Sequence, residues 1–133
     1  MNEKRMHYLL DKKYNAFFRQ HEVKFFRKKV DFVYFDDDQR IQAIELKIKD
    51  WRKALNQVDV NQLFAHFSLL GIWHKYIDNI PFDLFKKYGF GLLSISSKKI
   101  EVVIPPEESK IRNREFSDEI KKKIVDGAYG LHF

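Results

Sequence analysis

The 133-residue sequence contains no cysteine. This absence excludes disulfide bonds, zinc knuckles and cysteine nucleophiles, and it favours an intracellular, cytoplasmic protein. The first ten residues, MNEKRMHYLL, lack the long apolar segment of a signal peptide. The longest apolar stretch, around LLGIW, is far too short to cross a bilayer. We therefore expect no membrane partner.

Several familiar ligand-binding motifs are also missing. The histidines show no metal-ligand spacing such as H-E-x-x-H, so we expect them to be structural. The segment GFGLL lacks the third glycine of a dinucleotide-binding loop. The acidic run Asp36 to Asp38 lacks EF-hand spacing and is read as a hairpin turn.

The composition indicates one globular domain with a basic surface. Hydrophobic residues make up 44% of the chain and charged residues 33%, which is typical of a folded domain. We expect a single domain over residues 1–133, with a core at about 5–106 and a polar tail at 107–133. The net charge of +6 favours a polyanionic partner, although solubility alone also accounts for it.

The pattern of apolar residues predicts an α/β fold. Helical spacing covers residues 5–20, a second helix begins at Trp51 after the candidate N-cap Asp50, and a third runs from Pro81 to Gly89. Alternating or β-branched segments predict strands, namely EVKFFRKK, VDFVYF, RIQAIELKIK, FSLLGIW, FGLLSIS and KIEVVI. A final helix is predicted from Ser117 to Asp126. The order α-β-β-β-α-β, then α-β-β-α, indicates a mixed sheet flanked by helices.

One charged pair is unusual in its surroundings. The pattern E-x-K occurs four times, as expected for so charged a chain. Only Glu45 and Lys47 lie among aliphatic residues at the end of a predicted central strand, directly before an amphipathic helix.

Hairpin geometry brings Asp31 to the same place. A turn centred on Asp38 sets Asp31 opposite Glu45, and Lys47 then shares their face of the sheet. Two opposed carboxylates repel each other, and a divalent cation between them would remove that cost. A neighbouring ammonium could orient the water or stabilise charge on a phosphate. A cross-strand ion pair at the sheet end is the alternative.

This pattern resembles the PD-(D/E)XK nuclease superfamily, which has a restriction-endonuclease-like fold with an αβββαβ core. The family's acid on the second strand falls on Asp31 in KKVDFVYF, and its E-x-K falls on Glu45 and Lys47 in AIELK. In one branch a glutamine of the following helix turns toward the site, which would be Gln57 in KDWRKALNQ. The resemblance covers most of the chain, from the first helix to VVIPP.

The resemblance implies metal-dependent hydrolysis of phosphodiester bonds. Its implied ligands for Mg²⁺ or Mn²⁺ are Asp31, Glu45 and the Leu46 carbonyl, with Lys47 and Gln57 as further catalytic residues. Three departures stand out. Val30 replaces the family's proline, Asn61 stands where some branches have tyrosine, and the acid of the first helix has only Glu3 or Glu22 as candidates.

Our first hypothesis is therefore a nuclease that cleaves nucleic acid, with DNA as the expected substrate. The basic residues expected to contact it are Lys24, Arg27, Lys28, Lys29 and Arg52. A homodimer that presents two sites is compatible with a chain of this size. The alternatives are an inactive nuclease-fold module for nucleic-acid binding or protein assembly, and a protein-interaction domain whose basic charge is incidental.

Overall fold

The computed structural model describes residues 1–130 of the chain. The helices are α1 (Glu3–Lys13), α2 (Trp51–Asn61), α3 (Phe82–Tyr88) and α4 (Arg114–Ala128). The strands are β1 (Arg19–Phe25), β2 (Lys28–Phe35), β3 (Ile41–Lys47), β4 (Phe67–Trp73), β5 (Gly91–Ile95) and β6 (Ile100–Ile104). A 3₁₀ helix at His74–Asn79 connects β4 to α3. The α/β class and the order of elements predicted from the sequence are confirmed.

The six strands form one mixed sheet in the order β1-β2-β3-β4-β5-β6. The pairs β1–β2, β2–β3 and β5–β6 are antiparallel, as expected for strands joined by short turns. The pairs β3–β4 and β4–β5 are parallel. Each parallel pair is joined by a crossover that contains a helix, α2 or α3, because the chain must return to the same end of the sheet.

The hairpin between β2 and β3 has the predicted register. Phe35 pairs with Ile41 and Phe32 pairs with Ile44, which places the centre at Asp38. The carboxylate of Asp36 accepts hydrogen bonds from the backbone N–H groups of Asp38 and Arg40, at 2.9 and 3.0 Å. An aspartate that bonds the backbone of its own turn in this way favours a tight reversal.

Helices cover both faces of the sheet. On one face, Met6 and Leu10 of α1 pack against Leu46 and its neighbours on β2 and β3. On the other face, Val58 of α2 packs against Leu70 of β4, and α4 covers the β1–β3 end. The end of β3 therefore lies between α1 and α2, and its side chains can meet residues from both helices.

The first helix is shorter than predicted. The apolar spacing continues to Phe18, but α1 ends at Lys13 and β1 already begins at Arg19. The N–H of Phe35 donates to the carbonyl of Phe18 at 3.0 Å, so this segment pairs with β2 instead. Sheet pairing has overridden the local helical pattern.

The spacing of Trp51, Leu55, Val58 and Leu63 in the sequence predicts one buried helical face on α2, and the structure corrects this face. Its fully buried side is formed by Ala54, Val58 and Asn61, whereas Leu55 is only half-buried. Leu63 lies beyond the end of the helix. Asp50 occupies the N-cap position, but its side chain makes no capping hydrogen bond.

The helix within the predicted polar tail packs one side against the core. The helix α4 begins at Arg114, earlier than the predicted Ser117, and its Ile120 and Ile124 are fully buried beside Val23 and Phe25 of β1. Residues 131–133 of the predicted domain lie outside the described residues. Within residues 1–130, no helix combines the length and apolar character needed to cross a bilayer.

Candidate active site

The strands β2 and β3 separate at the residues singled out from the sequence. Their regular pairing ends at Phe32 and Ile44. One residue further on, the Asp31 carboxylate accepts the backbone N–H of Leu46, with Oδ2 at 2.8 Å from the nitrogen. A side-chain oxygen thus replaces the backbone acceptor of a regular ladder. This bond holds the Asp31 carboxylate against β3, beside Glu45.

Glu45 is a buried carboxyl group on a central strand. It is 5% exposed, and its Oε2 accepts a hydrogen bond from the amide of Asn61 at 2.7 Å. Burial raises the pKa of Glu45 to about 8, and the nearby charge of Asp31 adds to this rise. The bond from Asn61 acts in the opposite direction. A carboxyl group with this pKa needs a nearby cation to be fully ionised at neutral pH.

Gln57 reaches Glu45 through a second amide. Its Nε2 donates to Oδ1 of Asn61 at 2.8 Å, and Asn61 in turn donates to Glu45. The two residues lie one turn apart on α2, so their side chains meet on one face of the helix. In the sequence, Asn61 stands out only as a departure from the family spacing, although its position four residues after Gln57 is compatible with this contact.

Asp31, Glu45 and Lys47 line one cavity of about 240 Å³ at the end of β3, which we call the carboxylate cavity. Glu3 of α1 and Gln57 of α2 also line it, as expected for a site between these helices. Its wall contains three further lysines, which are Lys28, Lys29 and Lys53. A cavity lined by both carboxylates and ammonium groups is suited to a cation that is shared with an anionic ligand.

Within residues 1–130, Lys47 forms no ion pair. Among the described residues, no carboxylate lies within 4.0 Å of its ammonium group. The cross-strand ion pair considered as the alternative from the sequence is therefore not formed. The side chain is half-buried at the cavity wall, so its charge is available to a ligand there.

Asp31 also belongs to a second group of possible metal ligands. One ligand atom from each of His7, Glu22 and Asp31 lies within 4.8 Å of the others. Glu22 stands opposite Asp31 in the β1–β2 register, since its neighbours His21 and Val23 pair with Phe32 and Val30. Its φ of 54° is rare for a residue with a side chain, and such strain costs about 1–3 kcal/mol. Glu22 was one of two candidates for a further acid from the sequence, whereas His7 was expected to be structural.

Hydrogen bonds determine which nitrogen His7 presents to this group. The Asp11 carboxylate, already bound to Arg19, lies 2.9 Å from Nε2 of His21, which therefore carries the proton. The Nδ1 atoms of His7 and His21 lie 2.8 Å apart, and with the proton of His21 on Nε2, its Nδ1 accepts a hydrogen bond from Nδ1 of His7. Nε2 of His7, 3.5 Å from Glu22, is left with its lone pair among carboxylates. With this tautomer, Nε2 of His7 is available as a metal ligand beside Glu22 and Asp31.

The basic residues predicted to contact nucleic acid divide into two groups. All five are exposed, and Lys28 and Lys29 line the carboxylate cavity. Lys24 and Arg27 lie on the β1–β2 hairpin outside the cavity wall. Arg52 lies over the ring of Trp51, 4.8 Å from its centroid, on the outer side of α2.

Comparison with known proteins shows the fold and leaves the activity open. No protein-family model and no curated protein matches the chain. The chain is similar in structure to the SPO1766 protein of unknown function from Silicibacter pomeroyi, with a TM-score of 0.71 and 13% sequence identity. The similarity covers 92% of this chain and 84% of that one.

Proposed function

We propose that this chain is a metal-dependent nuclease that hydrolyses phosphodiester bonds, with DNA as the expected substrate. The observation that carries the proposal is the convergence of Asp31, Glu45 and Lys47 on one cavity whose wall is otherwise rich in lysine. The proposal includes a restriction-endonuclease-like core, formed by α1, β1, β2, β3, α2 and β4, in which these residues take the positions of the PD-(D/E)XK motif.

The chemistry of the donors fits Mg²⁺ or Mn²⁺. Asp31 and Glu45 offer carboxylate oxygens, the ligands that Mg²⁺ prefers, and the Leu46 carbonyl stays a predicted third ligand. Burial together with the charge of Asp31 disfavours ionisation of Glu45, and a divalent cation would reverse that preference. The nitrogen of His7 would suit Mn²⁺ better than Mg²⁺, because imidazole is a softer ligand than a carboxylate.

A bound cation would polarise the phosphodiester and help to ionise an attacking water. The residues of the chain have separate tasks beside it. Lys47 supplies a positive charge that orients the water and stabilises the charge that develops on the phosphate. The Gln57–Asn61 pair holds the Glu45 carboxylate in one orientation. Lys28, Lys29 and Lys53 attract the nucleic-acid backbone to the cavity wall.

The direct test is cleavage of plasmid, junction and single-stranded substrates with Mg²⁺ or Mn²⁺, with EDTA as the control. Cleavage by the wild type that is lost in Glu45→Gln supports the proposal. Salt-dependent binding without cleavage of any substrate would instead identify an inactive nucleic-acid-binding module. Absence of both binding and cleavage would indicate a protein-interaction domain. Sedimentation of the same sample tests whether the chain forms a homodimer.

A further inference from the structure

A basic groove lies on the side of α1 that faces the β5–β6 turn. It has a volume of about 390 Å³, and we call it the α1 groove. Its charged lining consists of Arg5, Lys12, Lys13, Lys98 and Lys99. The turn that carries the last two is held by its own hydrogen bonds, since the hydroxyl of Ser96 donates to the Lys99 carbonyl and accepts the Lys99 N–H.

Among the described residues, all the charged side chains that line the α1 groove are positive. In the part of the chain that the structure describes, no carboxylate lines it. Glu101, which pairs with Lys99, lies outside the lining, so the other four cations remain without a carboxylate in the groove. A concave surface with several cations and no anions favours a polyanionic ligand.

An aromatic ring stands in the wall of this groove. Tyr8 is 46% exposed, and the charged groups of Arg5 and Lys12 lie 4.8 and 4.9 Å from its ring centroid. Such cation–π contacts at an exposed site are weak, so both cations can move to phosphates when a ligand is present. The ring can then stack on a base. A cationic surface with an accessible ring is typical of proteins that bind single strands.

The α1 groove is connected to the carboxylate cavity. Tyr8 also lines an adjacent cavity of about 380 Å³, together with His7 and Glu22. Glu3 in turn lines both that cavity and the carboxylate cavity. The three cavities therefore share wall residues in a series that runs from Lys98 over α1 to Glu45, and the middle cavity is lined by His7 and Glu22 of the possible metal cluster.

We propose that the α1 groove binds the single-stranded flank of a nucleic-acid substrate, with phosphates on Arg5, Lys12 and Lys98 and a base on Tyr8. The inference that this ligand is a substrate rests on the proposed nuclease function. It predicts a substrate with a single-stranded segment next to the cleaved bond, because a base that is stacked within a duplex cannot reach the ring.

The first test measures binding of a labelled oligothymidylate by fluorescence anisotropy in EDTA, as a function of salt. Each phosphate contact contributes about 0.7 to the slope of log K against log salt for single strands. The triple variant Arg5→Gln, Lys12→Gln, Lys98→Gln should therefore lower that slope by about 2. The matched control is Lys75→Gln, Lys86→Gln, Lys87→Gln, which removes the same charge at exposed positions outside the groove. An equal decrease of the salt slope in the groove variant and in the control variant would overturn the proposal.

The second test addresses the ring. Tyr8→Leu should weaken binding of the oligothymidylate by about fivefold to 150-fold, which corresponds to about 1–3 kcal/mol per stacked base. A blunt duplex of the same length should show no such loss, and unchanged thermal melting would confirm that the variant is folded. Equal loss for duplex and single strand, or binding of anionic phospholipid vesicles in place of the oligonucleotide, would overturn the assignment.

These binding experiments separate the groove from the proposed activity. They contain EDTA, so they do not depend on cleavage. Loss of oligothymidylate binding in the groove variants, with no metal-dependent cleavage by the wild type, would support the groove and refute the nuclease. Cleavage that is equally fast in Tyr8→Leu and wild type on a substrate with a single-stranded flank would refute the groove and leave the nuclease intact.

Discussion

Glu45 is the residue of the candidate site whose ionisation the fold disfavours. Its pKa rises from 4.5 to about 8 because the side chain is buried and Asp31 is close. The folded protein therefore binds a proton more tightly there than the unfolded chain does. Without metal, this proton is retained to about neutral pH, and metal binding must displace it.

The pH dependence of stability follows from this shift. Since the folded-state pKa is the higher one, the stability contributed by this group is present below pH 4.5 and is lost as the pH rises to about 8. Glu45→Gln keeps the shape of the neutral acid and should lose this pH dependence. Urea unfolding in EDTA across this range measures it. The same decline in the variant as in the wild type would assign the effect to another group.

The two amides of α2 should differ in their effect on stability. Asn61 is fully buried, and Asn61→Ala removes the donor to Glu45, which should cost about 1–3 kcal/mol. Gln57 is half-buried, and Gln57→Ala should change stability by less than about 0.5 kcal/mol while reducing cleavage. Chemical denaturation beside a cleavage assay distinguishes them. Equal destabilisation by both changes would make Gln57 structural.

His7 should affect the choice of metal. Removal of an imidazole ligand should weaken Mn²⁺ binding more than Mg²⁺ binding, because nitrogen contributes more to the affinity for Mn²⁺. Calorimetric titration of His7→Ala with each ion measures the difference. His74→Ala is a suitable control, since His74 is exposed and lies outside the cluster with Glu22 and Asp31. Unchanged Mn²⁺ affinity in His7→Ala would exclude His7 as a ligand.

The sequence could indicate Asp31, Glu45 and Lys47 because all three lie near one hairpin whose register is set by its turn. It could not indicate His7 or the contact of Asn61 with Glu45. These two side chains approach from α1 and α2, and their positions depend on how each helix packs on the sheet. Spacing along the chain carries no information about such contacts, whereas cross-strand distance in a hairpin follows from spacing alone.

At the scale of elements, helix packing decides which side of α2 carries stability. Val58 is fully buried between the helix and β4, so Val58→Ala should destabilise the protein by about 1.5–3 kcal/mol. Leu55→Ala should lower the free energy of unfolding by less than Val58→Ala, because Leu55 is only half-buried. This is expected although the change removes more side-chain volume. Urea unfolding of the two variants measures both values. A larger loss of stability in Leu55→Ala than in Val58→Ala would show that Val58 is not the more buried of the two residues.

Elements differed in how well the sequence predicted them. The strand β4 was predicted over its full length, because a continuous apolar run between polar segments is typical of a strand buried on both faces. The boundary between α1 and β1 was misplaced, because helical spacing extends into residues that pair with β2. Local patterns thus identified the elements, and tertiary pairing determined where they end.

At the scale of the whole molecule, the sheet brings charged groups from distant parts of the chain to one region. Carboxylates from α1, β2 and β3 meet at the end of β3, and lysines from β2, β3 and α2 surround them. This arrangement places possible cation ligands beside lysines in one cavity, on a protein whose net charge is +6. It is the arrangement that the proposed metal and the proposed polyanionic substrate would both require.

The central claim is that Lys47 acts on the reacting phosphate and does not hold the metal. A plasmid-nicking time course with Mg²⁺ and Mn²⁺, beside calorimetric metal titration, compares the wild type with Lys47→Ala and with Lys49→Ala. Lys49 is an exposed lysine two residues further on, outside the carboxylate cavity. We predict that Lys47→Ala lowers the cleavage rate by about 10²–10³-fold or more with metal and DNA binding largely retained, while Lys49→Ala cleaves like the wild type. Cleavage by Lys47→Ala at the wild-type rate would contradict the account.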